Sequence, residues 1–154
     1  MAARFADAGI LVRYRFTKLQ HEHEWKWLSD RAKPLLCEDM RGIVAYRNYE
    51  IVAAVAIDNW SYNSGTIHIA VEDPFVFRRG FSQEVMDYVF KTCKKGVIIG
   101  VTPGDNHKAL KFNAHMGFKE IYRIKDGYKV GIDYVVTQLR KEEWYGKEEH
   151  STAA

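Results

Sequence analysis

Val97-Ile98-Ile99-Gly100-Val101 is a short, unbroken apolar run between two segments of helical spacing. A strand with no polar side is expected to be buried on both faces, and a sheet flanked by helices supplies that burial. Upstream, Phe81, Val85, Met86, Val89 and Phe90 recur at helical spacing and predict an amphipathic helix over 81–93, broken at Gly96. Downstream, Asn106 to Met116 predicts a second helix, opened after Pro103-Gly104-Asp105 and stopped at Gly117. Glycine takes the left-handed conformation of a helix C-cap at little steric cost, so the stop has a mechanism. Phe118 then starts a strand over 118–124.

The rest of the chain supplies the remaining elements. Alternation over 10–16, with Val12, Tyr14 and Phe16 on one side, predicts a first strand. Thr17-x-x-Gln20 has the form of a capping box opening a helix to about Arg31, ended before Pro34. The β-rich runs 41–47 and 50–59 meet at Asn48-Tyr49 and predict a hairpin. After turn chemistry at Ser61 to Gly65, residues 66–71 alternate, with Ile67, Ile69 and Val71 on one face and Thr66, His68 and Ala70 on the other. Pro74 ends that strand, since proline cannot donate to a ladder. Lys125-Asp126-Gly127 predicts a turn before a last strand over 132–139. The order β-α-β-β-β-α-β-α-β-β implies an α/β (α+β) fold with a mixed, mostly antiparallel sheet flanked by helices. A single domain over 1–146 is expected, with 147–154 as a disordered tail.

Composition excludes several function classes. A net charge of +3 over 154 residues lacks the concentrated basic face of a nucleic-acid binder. No apolar run approaches the ~20 residues of a membrane span, and Met1-Ala-Ala-Arg-Phe-Ala-Asp is not a secretory leader. Cys37 and Cys93 stand far apart without a Cys-x-x-Cys motif, which fits reduced cytoplasmic thiols rather than a zinc site. His21-Glu22-His23-Glu24 offers metal-ligating types, but helix positions two apart do not share a face. No metal is expected.

Asn106-x-x-Ala109, the helix around it and Gly117-Phe118 resemble the penultimate helix of the GNAT superfamily of acyl-CoA-dependent N-acetyltransferases. The element order is similar too, from about Ile10 to Trp144. Tyr88-Val89-Phe90 and the closing Leu139-Arg140-Lys141-Glu142-Glu143-Trp144 look like the small members encoded by phages and prophages. The resemblance implies acetyl-CoA as co-substrate and an amine as acceptor. The family's (Gln/Arg)-x-x-Gly-x-(Gly/Ala) signature falls on Phe77-Arg78-Arg79-Gly80-Phe81-Ser82, with Phe77 in place of the polar residue. A glycine turn before a helix presents N–H groups and a positive dipole end to a pyrophosphate, and Arg78 and Arg79 add charge. By the same resemblance, Ile69, Ala70 and Val71 line the pantetheine arm, and backbone near Val71 polarises the thioester. Asn106, Ala109 and Phe112 lie beside the cofactor.

For a general base the resemblance points first to Glu72, at the end of the fourth strand, and then to His68, since histidine is the side chain most often used for proton transfer near neutral pH. Asp58 and Asp73 rank lower. One helical turn before the glycine of Gly-Phe, many family members carry a tyrosine that protonates the leaving thiolate. Here Asn113 stands there, and an amide donates a hydrogen bond but not a proton. Tyr62 and Tyr128 are other sources of that proton. Two readings follow: an acetyltransferase, favoured by Gly80, Ser82, Asn106 and Gly117-Phe118, or a non-catalytic coenzyme-binding or virion-associated module, favoured by Phe77 and Asn113. The acceptor loops fall at 28–40 and 125–131, where Glu38 and Asp39 suit a cationic amine. Exposed sheet edges leave a homodimer open.

Overall fold

The structure is a computed structural model and describes residues 11–152, with side chains through residue 146. Seven strands form one sheet in the order β1-β2-β3-β4-β5-β7-β6. They are β1 (Tyr14–Lys18), β2 (Arg41–Arg47), β3 (Glu50–Asp58), β4 (Ser64–Val71), β5 (Val97–Pro103), β6 (Lys119–Lys129) and β7 (Ile132–Arg140). Every neighbouring pair is antiparallel except β4 and β5, which run parallel. The helices are α1 (Glu22–Ala32), α2 (Phe81–Asp87), α3 (His107–Met116) and α4 (Lys141–Thr152). The predicted mixed, mostly antiparallel sheet with flanking helices is what the chain forms. Among the described residues, no helix is long and apolar enough to cross a membrane.

The alternation of β4 sorts the two cores. Ile67 packs with Phe81, Val85, Met86, Val89 and Phe90 of the α2 segment, together with Met116 and Phe118. Ala70, on the opposite face, packs with Leu28 of α1, Val44, Tyr46, Ala54 and Ala56. Thus α1 covers the face that carries the even-numbered side chains of β4, and α2 covers the other.

Local signals and final boundaries differ in several places. The first strand starts at Tyr14, and Ile10 lies outside the described residues. Thr17 does not cap a helix, because it pairs with Val44 in the β1–β2 ladder. Instead α1 opens at His21, and Glu24 closes the box by accepting from the backbone N–H groups of His21 (2.9 Å) and Gln20 (3.1 Å). The predicted 81–93 helix is α-helical only to Asp87 and continues as a π turn over Tyr88–Thr92. It is preceded by a 3-10 turn over Pro74–Arg79 that the sequence did not suggest, with Phe75 N–H donating to Asp73 Oδ1 (3.1 Å). The strand predicted to be buried on both faces is so only in part: Ile98 is buried, but Val101 is 41% exposed. The predicted turn at 125–127 lies inside β6, where the register shifts between Ile124 and Lys129, and the chain reverses at Gly131. Helix α4 was not anticipated. It packs Trp144 and Tyr145 against the core and overlaps the expected tail; residues 153–154 lie outside the described part.

Candidate active site

Parallel pairing between β4 and β5 covers only Ser64–Thr66 against Val97–Ile99. Beyond it β4 stays with β3 as far as Val71, and β5 stays with β7 as far as Pro103. The two strands therefore splay, which explains why Val101 is exposed. The ladder also fixes which backbone groups the wedge exposes. Glu72 N–H donates to Val52 O (2.8 Å), and the register pairs Ala53 with Val71 and Val55 with Ile69. Antiparallel pairs alternate between bonded and non-bonded, so Glu72, Ala70 and His68 turn their N–H and C=O groups toward β3. Those of Ile69 and Val71, beyond the last β4–β5 pair at Thr66 and Ile99, face the open edge, where β5 has departed. Backbone groups held rigidly at an unpaired edge are ready donors for a ligand.

A cleft of about 200 Å³ occupies the wedge. His68 and Ile69 line it from β4, Thr102 from β5, Asn106, Ala109 and Asn113 from α3, and Arg31 from α1. His68 Nε2 lies 2.8 Å from Asp58 Oδ1. Both belong to the α1 face, since His68 pairs with Ala56 and Asp58 with Thr66 in the ladder. Asn113 Nδ2 donates to the hydroxyl of Thr102 (3.2 Å), itself only 8% exposed. Asn106 caps α3, its Oδ1 accepting from Ala109 N–H (3.2 Å). At the other end of that helix Gly117 has φ 101°, and Phe118 N–H donates to Asn113 O (3.0 Å). The predicted glycine stop is thus a left-handed cap that fixes the approach of α3 to the wedge.

Glu72 sits at the end of β4 as expected, but its carboxylate is engaged. Oε1 accepts from Arg31 Nε (2.8 Å) and Nη2 (2.6 Å). Arg31 in turn stacks over Trp27 at 3.9 Å and donates to Trp27 O (3.0 Å). Asp73 is structural: it caps the 3-10 turn and receives Arg47 Nη1 (2.9 Å) and the Tyr14 hydroxyl (3.1 Å). Burial and then that hydrogen bond raise the Tyr14 pKa. Tyr62 and Tyr128 are exposed, and neither lines the cleft.

The glycine turn is on the other face. Gly80 adopts φ 100°, ending the 3-10 turn and starting α2, and a Cβ there would meet only Phe16 Cε2 at 3.7 Å. The backbone angle, not space, requires glycine. A pocket of about 470 Å³ adjoins this turn, lined by Phe77, Arg78, Gly80, Ser82, Phe112 and Trp144 among others. Phe77 meets the ring of Phe112 edge-on at 4.8 Å and that of Phe81 at 5.2 Å. It is a packing residue bridging the turn to α3. Ser82 Oγ donates to Phe77 O (3.2 Å). Arg79 lies over Phe75 at 5.0 Å, while among the described residues Arg78 forms no ion pair.

Sequence reasoning missed Arg31, Thr102 and Trp144. Nothing local marks them, because their place depends on how α1, β5 and α4 dock. Asp58 with His68 was recoverable: a hairpin closed around 59–63 sets the two on one face of adjacent strands.

The sequence matches no protein-family model and no curated protein. Solved structures are similar in fold. The spermidine/spermine N-acetyltransferase SpeG from Vibrio cholerae aligns with TM-score 0.72 at 13% identity, over 88% of this chain and 96% of that one. The Campylobacter jejuni N-acetyltransferase PseH aligns with TM-score 0.61 at 14% identity, over 83% and 98%. PseH in complex with acetyl coenzyme A aligns with TM-score 0.54 at 15% identity, over 78% and 79%. The chain has the GNAT fold.

Proposed function

We propose that this protein transfers an acetyl group from acetyl-CoA directly to a primary amine of a small molecule or protein. The observation that carries the reading is the splay of β4 from β5. It leaves the Val71 and Ile69 backbone groups unpaired beside His68. The residues present fit the co-substrate. The Gly80 turn offers backbone N–H groups and the positive end of the helical segment to a pyrophosphate, with Arg78 free to pair with phosphate. Phe81 and Ser82 open that segment, and Arg79 adds charge beside it. The open edge over Ile69 to Val71 and the α3 residues Asn106, Ala109 and Phe112 support a pantetheine path, and Val71 N–H polarises the acyl oxygen.

His68 serves as the base, because it lines the cleft, whereas Glu72 is held by Arg31. Glu72 then orients Arg31 at the acceptor side of the sheet. Asn113 steadies the leaving thiolate by a hydrogen bond from its amide. Arg31 and the loop after α1, with Glu38 and Asp39, border the acceptor. The exposed β6 edge, with Ile121 and Tyr122 outward, supports pairing of two copies. Free thiols at Cys37 and Cys93 suit a cytoplasmic setting, and the resemblance to phage-encoded members supports the host cytoplasm, or association with a virion, as that setting.

A second reading has a specific observation behind it. The Phe77–Phe112 contact spans the turn and α3, and Asn113 is tied to Thr102. A chain that keeps the fold as a non-catalytic coenzyme-binding or virion-associated module would show both. Thermal unfolding with increasing acetyl-CoA and free coenzyme A tests coenzyme binding. Binding to the native state raises Tm with ligand concentration, by ~2.7 kcal/mol of stabilisation at a hundredfold excess over Kd. Gly80→Val, strained at φ 100°, should abolish the shift. An unchanged wild-type Tm at millimolar acetyl-CoA contradicts the proposal.

A further inference from the structure

Resting on that acetyltransferase reading, we infer that Asp58 and His68 form a catalytic dyad in which Asp58 fixes the imidazole tautomer and His68 Nδ1 is the atom that takes the proton from the amine. The assignment follows from one contact and its surroundings. His68 Nε2 is 2.8 Å from Asp58 Oδ1. An ionised carboxylate only accepts hydrogen bonds, so Nε2 must carry the hydrogen. A neutral imidazole with its hydrogen on Nε2 has its lone pair on Nδ1. Among the described residues Nδ1 has no hydrogen-bond partner, and His68 lines the cleft.

The pair is held by the sheet rather than by chance rotamers. Ala56 stands opposite His68 and Asp58 opposite Thr66, so the carboxylate reaches the imidazole diagonally across a continuous ladder. Both side chains are shielded, Asp58 at 17% and His68 at 25% exposed. Asp58 makes no other hydrogen bond or ion pair among the described residues. The nearby charges are already matched: Arg31 pairs with Glu72, leaving Asp58 as the carboxylate committed to His68. A half-buried carboxylate on a histidine does two things. It orients the ring, and it stabilises the imidazolium formed when the ring accepts a proton.

The step balances without any further reactant. The amine nitrogen forms a bond to the acyl carbon as the carbon–sulfur bond breaks. The proton lost by nitrogen goes to His68 Nδ1, and the thiolate leaves with the electron pair of the broken bond. His68 returns its proton to solvent or to the thiolate, giving an amide and free coenzyme A. Asp58 touches no reacting atom, so it is a positioning residue.

The test combines turnover with a direct view of the ring. Side-chain nitrogen NMR of histidine-labelled protein should report hydrogen on Nε2 of His68 in wild type and a loss of that single form in Asp58→Asn. Thiol release from acetyl-CoA, read over a panel of primary amines, should show kcat lowered about 10²-fold in Asp58→Asn with KM for acetyl-CoA little changed. His68→Gln should lower kcat at least as much. The double variant should be no worse than His68→Gln alone, because a residue acting through another adds nothing once its partner is gone. A purely structural Asp58 would instead add its cost to that of His68→Gln, which overturns the inference. Hydrogen on Nδ1 in an active wild type overturns the dyad while leaving the transferase reading intact. Wild type that releases no thiol with any amine, with Nε2 still protonated, overturns the transferase reading and the catalytic use of the dyad with it.

Discussion

Asn113 occupies a place where sequence and structure say complementary things. From the sequence, it stands where the family resemblance implies a proton-donating tyrosine. From the structure, its amide donates to Thr102 at 3.2 Å, so the position is occupied by a working contact rather than left vacant. Asn113→Tyr should leave coenzyme affinity nearly unchanged and raise turnover, toward the ~10²-fold that a general acid supplies. It should also lower stability by about 1–3 kcal/mol, since the buried Thr102 hydroxyl loses its partner. Steady-state thiol release and thermal melts check both, and a fall in turnover would show that Asn113 is itself part of the working site. At this scale, residue types were legible and partners were not. Glu72 could be placed at the end of its strand, but its ion pair to Arg31 arises only when α1 docks on the sheet.

Among the elements, α1 shows how a tertiary contact supports a local cap. Glu24 is 1% exposed. Burial alone would raise its pKa, but the Tyr46 hydroxyl and the backbone N–H groups of His21 and Gln20 hold the carboxyl below its usual range. Burial and the same carboxylate push Tyr46 up to about 12. A lowered folded pKa means that the Glu24 contribution is complete above the unfolded carboxylate pKa of ~4.3 and is lost as pH falls through the folded value. For Tyr46 the sign is opposite: its contribution is complete below the unfolded value of ~10 and is lost as pH rises through about 12. Glu24→Gln should lower Tm at pH 7, by an amount equivalent to about 1–3 kcal/mol, and weaken its fall on acidification. Melts from pH 3 to pH 8 in both proteins measure this; equal slopes would contradict it. Strand and helix periods were legible here because hydrophobic spacing is local. The start of α1 was not, since Thr17 offered a cap that its ladder partner Val44 overrides. Helix α4 was missed because its only apolar pair, Trp144 and Tyr145, is meaningful only against the finished core.

For the whole molecule, one departure organises the rest: β4 and β5 start as partners and separate. One core seats α2 and Met116 at the end of α3, the other seats α1, and the wedge between the strands connects the two faces. The glycine turn at Gly80 and the Asp58–His68 pair therefore lie on opposite faces. The mixed, mostly antiparallel sheet was legible from element order, whereas the wedge followed only from the family resemblance that put polarising backbone near Val71, because loss of pairing leaves no mark in Val97-Ile98-Ile99-Gly100-Val101 itself. The central claim is that this wedge transfers an acetyl group to an amine. Purified protein is incubated with acetyl-CoA and a panel of primary amines and peptides, and free thiol and acetylated product are followed together by absorbance and mass spectrometry. The account predicts equal amounts of thiol and N-acetylated amine, both abolished by Gly80→Val; no acetylated product from any amine, in protein whose Tm acetyl-CoA raises, would contradict it.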